Sequence, residues 1–153
     1  MRYLRIPILV AVAMFVGVWP AAADVDINQT FPSALTIPNP CNNDIVVLTG
    51  QNHLLVHSTA ATSGNVEFFV DLSSNYAGFG TPSGVNYQGD QDAFTAVSAQ
   101  NPLPIVFTIS NDILLESATG QDNFKLRITF HITIAANGVP TASIDNFSTT
   151  CGG

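Results

Sequence analysis

Three histidines are the residues whose type and spacing first suggest metal chemistry in this sequence. His53 and His57 have the spacing His-x-x-x-His. On a helix this spacing suits zinc, but the surrounding residues predict a strand, in which the two side chains lie on one face about 13 Å apart. That distance is too long for a shared ion, and nothing local brings His131 to the other two. We therefore expect no zinc or copper site, and interpret His53 and His57 as face-lining imidazoles that are candidate ligand contacts.

Two aspartates form a weaker candidate for a metal-binding loop. Asp90 and Asp92 follow Gly89 and offer carboxylate oxygens, which calcium prefers, at alternate positions. The fuller acidic spacing of an EF-hand or a repeat-type calcium loop is missing. Calcium at Asp90 and Asp92 is thus a weak alternative, and we predict no cofactor.

Residues 1–23 have the features of a secretory signal peptide, and the elements that position the candidate residues follow this segment. Residues 1–5 are basic, residues 6–19 are an apolar run too short to span a bilayer comfortably, and residues 21–23 are a small-residue cleavage box. Cleavage after Ala23 leaves 130 residues, enough for one domain with a core but not for two. The sequence therefore predicts a soluble protein that is secreted or periplasmic.

Charge excludes two classes of partner. Cleavage would remove Arg2 and Arg5 and keep all 11 acidic residues, so the net charge would change from −7 to −9. Only Lys125 and Arg127 would remain to offset it. Such a chain repels nucleic-acid backbones and anionic lipid surfaces. We therefore expect no nucleic-acid partner and no membrane insertion, whereas the oligomeric state stays open.

The two cysteines are predicted to form a disulfide. An exported chain enters an oxidising compartment, and with only Cys41 and Cys151 the connectivity is fixed. The alternative is two free thiols, although an exposed thiol is a liability in a secreted protein. Because the cysteines bracket almost all of the strand-like sequence, a bridge would bring the first strand next to the last.

Residues 24–40 and residues 41–153 differ in pattern. The first segment contains three prolines and no sustained alternation, so we interpret it as an extended N-terminal arm. From Cys41 onward the pattern has period two between turn signals, which indicates a single all-β domain. The candidate strands are 44–49, 53–60, 65–72, 75–79, 84–88, 93–98, 104–115, 123–135 and 139–148. Some of them are predicted to be halves of long bent strands, with Gly50 and Gly78 as bulge or kink points.

The clearest strand lies in the C-terminal third. Its apolar residues are predicted to face the core: Phe124, Leu126, Ile128, Phe130, Ile132 and Ile134. A three-residue loop before Val139, with Gly138 in a left-handed conformation, then pairs Phe130 with Ile144 and keeps the faces matched. By the same reasoning it sets Thr129 opposite Asp145.

Upstream, a two-residue turn at Gly120-Gln121 would place Ile113 opposite Ile128 and Asp112 diagonally from Arg127. The resulting three-stranded meander favours a closed or nearly closed antiparallel barrel of about eight strands, with a β-sandwich as the alternative.

The outer face of this meander is the candidate polar site. It carries Asp112, Lys125, Arg127, His131 and Asp145. The simpler interpretation is a solvated sheet face with cross-strand charge pairs. Because Lys125 and Arg127 are the only lysine and arginine left after cleavage of the predicted signal peptide, this face is nevertheless where an anionic group would make contact.

Several motifs in this order resemble a group of small exported bacterial proteins to which no function has been assigned. They are Asn39-Pro-Cys41, the His53 and His57 strand, Ser83-Gly-Val-Asn-Tyr87, Thr129 to Gly138, Asp145-Asn-Phe147 and Cys151. The resemblance covers residues 39–151 and implies a bacterial envelope or extracellular setting. It implies no activity, cofactor or catalytic residue.

Three functions remain open. The first is a non-catalytic barrel that holds a small apolar or amphipathic ligand, since eight-stranded barrels can enclose one small molecule. The second is a surface adhesion or interaction module that acts through its sheet face or loops. The third is a hydrolase or cyclase that uses His131 and carboxylates. The absence of a catalytic motif favours the first two.

Overall fold

The computed structural model describes residues 27–60, 65–99 and 103–152, and within these ranges the chain forms seven antiparallel strands. The strands follow one another in a meander and form a nearly closed barrel. They are β1 (Ile27–Pro38), β2 (Ile45–Ala60), β3 (Val66–Thr81), β4 (Asn86–Ala99), β5 (Ile105–Ser117), β6 (Phe124–Ile134) and β7 (Pro140–Cys151). The predicted all-β meander barrel is confirmed, with seven strands instead of about eight. The predicted signal peptide lies outside the described residues.

The number of strands is smaller than predicted because the individual strands are long. β2 and β3 have 16 residues each and pair without a register shift from Ile45–Thr81 to Ala60–Val66. Gly50 and Gly78 lie inside these strands and are sites of close backbone approach, not of bulges. A Cβ at Gly78 would lie 1.9 Å from the carbonyl oxygen of Val47, so only glycine fits there.

The segment interpreted as an N-terminal arm is extended but belongs to the sheet. β1 pairs with β2 from Ile27–Val56 to Pro38–Ile45. β1 is an edge strand of the meander. Its prolines, Pro32 and Pro38, are tolerated because an edge strand has one side on which a backbone N–H needs no ladder partner.

The two C-terminal hairpins test the predicted registers. Phe130 pairs with Ile144 as expected, and Gly138 has a φ of 79°, so the three-residue loop is confirmed. The pairing of Thr129 with Asp145 is wrong, because a bulge between Thr129 and Phe130 shifts Thr129 to Asn146.

In the β5–β6 hairpin the predicted register is wrong by two residues. Ile113 pairs with Leu126, and Asp112 lies directly opposite Arg127. The cause is a longer connection, in which the Asn123 side chain accepts a hydrogen bond from the backbone N–H of Ser117 at 2.8 Å. A shift of two residues keeps every side chain on its predicted face.

One end of the barrel is closed by two independent links, and we call it the closed end. β4 and β5 pair there, at Tyr87–Ser117 and Gln88–Glu116. The predicted disulfide is also there: Cys41, in the β1–β2 loop, is bonded to Cys151 at the end of β7. The disulfide therefore brings the first hairpin to the last strand, as expected from the positions of the cysteines.

The buried core of the barrel consists mostly of apolar side chains. Twenty-four hydrophobic residues from all strands but β7 are buried in one cluster. All six apolar residues predicted to face the core from β6 are among them, whereas Lys125, Arg127 and His131 are exposed. In the described ranges no helix is long and apolar enough to cross a membrane.

Candidate functional site

Two of the sequence motifs meet at the closed end and form a buried hydrogen-bond network. The side-chain amides of Asn39 and Asn42 both donate to the hydroxyl of Tyr87, at 3.0 and 3.1 Å. The hydroxyl of Ser83 donates to the carboxylate of Asp44, which is 3% exposed. These contacts tie the β1–β2 loop to the β3–β4 turn. Their partners are other protein groups, so we assign this network a structural role.

A second polar network lies within the barrel and was missed from the sequence. The hydroxyls of Ser74 and Tyr76 donate to Asn52 Oδ1, at 2.9 and 3.1 Å. Asn111 Nδ2 donates to Ser74 Oγ at 2.9 Å and to the backbone oxygen of Gln91 at 3.0 Å. The network therefore connects β5 to β3 and β4. Its sequence signal is an asparagine at an inward position of an apolar strand.

The predicted polar site on β5–β7 is assembled in part. Arg127 and Asp112 form a bidentate ion pair, with Nε–Oδ1 at 2.6 Å and Nη2–Oδ2 at 2.7 Å. Lys125 lines the same shallow groove of about 460 Å³ as this pair. His131 lies four residues beyond Arg127 on β6, where it is paired with Thr108 of β5 and Ser143 of β7.

Asp145 lies at the β7 bulge and is exposed. Hydrogen bonding from the Arg127 guanidinium holds the pKa of Asp112 below its ordinary value and raises that of Arg127. Both side chains are more than half exposed. The geometry therefore agrees with a solvated face bearing a cross-strand ion pair.

The outer face of β1–β4, which we call the four-strand face, gathers residues from far apart in the sequence. Strand pairing aligns them in lateral rows, in order from β1 to β4. One row is Asn28, Leu55, Asp71 and Phe94; the next is Thr30, His53, Ser73 and Asp92; the third is Pro32, Gln51, Asn75 and Asp90. An apolar end therefore adjoins a polar band.

The remaining predicted site residues all lie on this face. His53 lies in the polar band, with Nε2 2.7 Å from Asn28 Oδ1, whereas His57 lies beside Phe69 at the apolar end. Asp90 and Asp92, the weak calcium alternative, are in the middle of β4 and therefore in a strand and not in a loop. Among the residues that the structure describes, no three His, Cys, Asp or Glu side chains are grouped to hold a metal ion.

The apolar end carries two exposed aromatic rings. Phe69 and Phe94 are 37% and 67% exposed, and their rings are near-parallel, with centroids 6.4 Å apart and planes at 21°. With Leu55, Asp71 and neighbouring residues they line a surface hollow of about 390 Å³. Sequence reasoning missed this pair, although the consecutive Phe68 and Phe69 were a signal, since one of two successive residues in a strand must point outward.

Charge is distributed unevenly over the barrel. β1–β4 carry four acidic residues, Glu67, Asp71, Asp90 and Asp92, and their described residues include no lysine or arginine. Both basic residues of the described chain, Lys125 and Arg127, lie on β6. The four-strand face therefore carries four carboxylates, and its described residues include no lysine or arginine to neutralise them.

Comparison with known proteins adds no relative from which a role is transferable. No family model, no curated protein and no solved structure matches this chain. The function must therefore be argued from the surfaces described above.

Proposed function

We propose that this protein is an exported, non-catalytic binding module that contacts its target through the four-strand face. The observation that supports the proposal is the exposed, near-parallel pair of Phe69 and Phe94 beside a polar band. Large apolar groups exposed together on a rigid sheet, with polar groups around them, are typical of interaction sites. Export is supported by the signal-like N-terminal sequence and by the disulfide, which is consistent with an oxidising compartment.

The other two functions have less support. A small apolar ligand inside the barrel would have to displace some of the 24 buried apolar side chains, whereas the groove beside Lys125 and the hollow beside Phe69 open on the outer surface. For the hydrolase, no hydrogen bond among the described residues joins His131 to a carboxylate. A histidine general base of the triad type needs such a partner to orient its imidazole.

The proposal is tested by retention of the purified mature protein on immobilised surfaces: peptidoglycan, insoluble polysaccharides and matrix proteins. The test variant is Phe69→Ser/Phe94→Ser, and the matched control is Phe147→Ser, which removes an exposed ring on β7. We expect one surface to retain the wild type and the control, and to lose at least about tenfold affinity for the double variant. Equal retention of all three proteins, or turnover of an ester or glycoside that is lost in His131→Ala, would overturn the proposal.

A further inference from the structure

We propose that the hollow at the apolar end of the four-strand face binds an organic cation, with an alkylammonium group as the recognised chemistry. The inference rests on the proposed function and names the ligand class of the same face. It is carried by three observations: two exposed rings, one carboxylate beside them, and a surrounding sheet whose described residues include no lysine or arginine.

The rings supply the first part of the site. The face of an aromatic ring has negative potential, so it attracts a cation placed over it within about 6 Å of the ring centre. Phe69 and Phe94 come from adjacent strands and are both accessible. Leu55 extends the apolar wall of the hollow toward β2. Such a surface fits the methyl or methylene groups around a charged nitrogen.

Asp71 supplies the charge. It lies opposite Phe94 in the β3–β4 pair and opposite Leu55 in the β2–β3 pair, which places it within the apolar end. Its Oδ1 atom is buried and has no hydrogen-bond partner among the described residues. A carboxylate oxygen held out of water without a partner carries an unfavourable free energy, which an arriving cation would reduce.

The charge of the sheet would make the site selective for cations. Glu67, Asp71, Asp90 and Asp92 lie on β3 and β4, and Lys125 and Arg127 lie on the other side of the meander, on β6. A surface of one sign raises the local concentration of ligands of the opposite sign. Anionic ligands are therefore disfavoured here, and a neutral apolar ligand would gain nothing from Asp71.

The size of the hollow agrees with a small ligand. Its volume of about 390 Å³ is in the range of small-molecule sites, which are mostly apolar with a few placed polar groups. Asn28 and His57 also line it and add polar groups to the wall of the hollow.

The test compares choline with 3,3-dimethylbutan-1-ol, its neutral isostere, by titration calorimetry on the folded mature protein. We expect saturable binding of choline at one site per chain, at least about tenfold tighter than the isostere, and weakened by added sodium chloride. Phe94→Leu keeps the apolar bulk but removes the ring, and should weaken choline binding about two- to fivefold. Asp71→Asn should weaken it about fivefold or more and reduce its salt dependence.

The matched controls are Asp145→Asn and Phe147→Leu on β7, which should leave choline binding unchanged. Equal affinity for choline and the isostere would overturn the cation assignment, as would loss of binding in the β7 controls or absence of saturable choline binding. If any of these results occurs while Phe69→Ser/Phe94→Ser still abolishes retention on a surface, the proposed function stands and only the ligand class is wrong.

Discussion

Phe130 and Arg127 are three residues apart on β6 and lie on opposite faces of the sheet. Phe130 is 3% exposed in the core, whereas Arg127 is on the solvated face. We expect Phe130→Ala to lower the free energy of unfolding by about 3–5 kcal/mol, because it removes buried surface and leaves a cavity. Arg127→Ala should leave the urea midpoint almost unchanged. If urea denaturation showed a larger loss of stability for Arg127→Ala than for Phe130→Ala, the polar face would line the interior.

Asp112 offers a residue-scale test of the ion pair by titration. Its pKa in the folded protein lies below the ordinary value of 3.8, because Arg127 donates to the carboxylate. A depressed folded pKa stabilises the fold above the unfolded pKa, and that stabilisation is lost as the pH falls through the folded value. The loss therefore occurs below pH 3.8, and it should be small because both groups are exposed.

We expect an NMR titration of the Asp112 side chain to give a pKa below 3.8 in the wild type and a higher pKa in Arg127→Gln. An unchanged Asp112 pKa in this variant would contradict a role for the hydrogen bond between Arg127 and Asp112.

At this scale, alternation was a sufficient guide for the orientation of side chains but not for their neighbours. The inward positions of β6 followed from strict apolar and polar alternation. The Phe69–Phe94 pair did not, because its partners come from different strands and meet only through the β3–β4 register. The same holds for Asn111 and Ser74, whose hydrogen bond crosses the barrel interior.

At the scale of elements, Gly78 controls how closely β2 and β3 approach. A methyl group there would overlap the carbonyl oxygen of Val47, which is backbone and has little freedom to move. We expect Gly78→Ala to lower the free energy of unfolding by about 1–3 kcal/mol or more. Ser98→Ala, at an exposed position of β4, is the control. Equal thermal midpoints for the two variants would mean that the strands can move apart at Gly78 without a loss of stability.

Hairpin connections explain which registers were predictable. The β6–β7 loop contains a glycine whose positive φ is a turn requirement, so its length was readable. The β5–β6 connection depends on side-chain bonds between Asn123, Ser117 and Thr119, which turn propensities alone do not reveal. The bulge at Thr129 likewise follows from the fit of β7 on β6 and not from a local sequence signal.

At the scale of the whole molecule, the disulfide joins residues separated by 110 positions. The chain-entropy model assigns a loop of this length a stabilisation of at most about 4–5 kcal/mol, because it restricts the unfolded chain. We expect Cys41→Ser/Cys151→Ser to lower the free energy of unfolding by up to this amount in urea denaturation. Titration of the unfolded, unreduced wild type should find no free thiol, whereas two titratable thiols would contradict the bridge.

Net charge was predictable at this scale, but its distribution was not. The composition showed a strongly acidic chain with two basic residues after the signal-like segment. Only the strand order shows that Lys125 and Arg127 both lie on β6 and that the described residues of β1–β4 include no lysine or arginine. Composition therefore predicted no nucleic-acid partner, whereas the anionic four-strand face was recognisable only from the fold.

The position of the disulfide also determines how the molecule would respond to mechanical force. A bridge from Cys41 to Cys151 makes β2–β7 one covalent ring, and leaves β1 outside it. Tension applied between Ile27 and Cys151 would therefore peel off β1 alone and stop at the covalent bond, when the stretched segment from Ile27 to Cys41 spans about 50 Å from end to end. After reduction the same tension would unravel the barrel to about 400 Å. The four-strand face would lose its first strand under load but keep Phe69 and Phe94 on intact, paired strands.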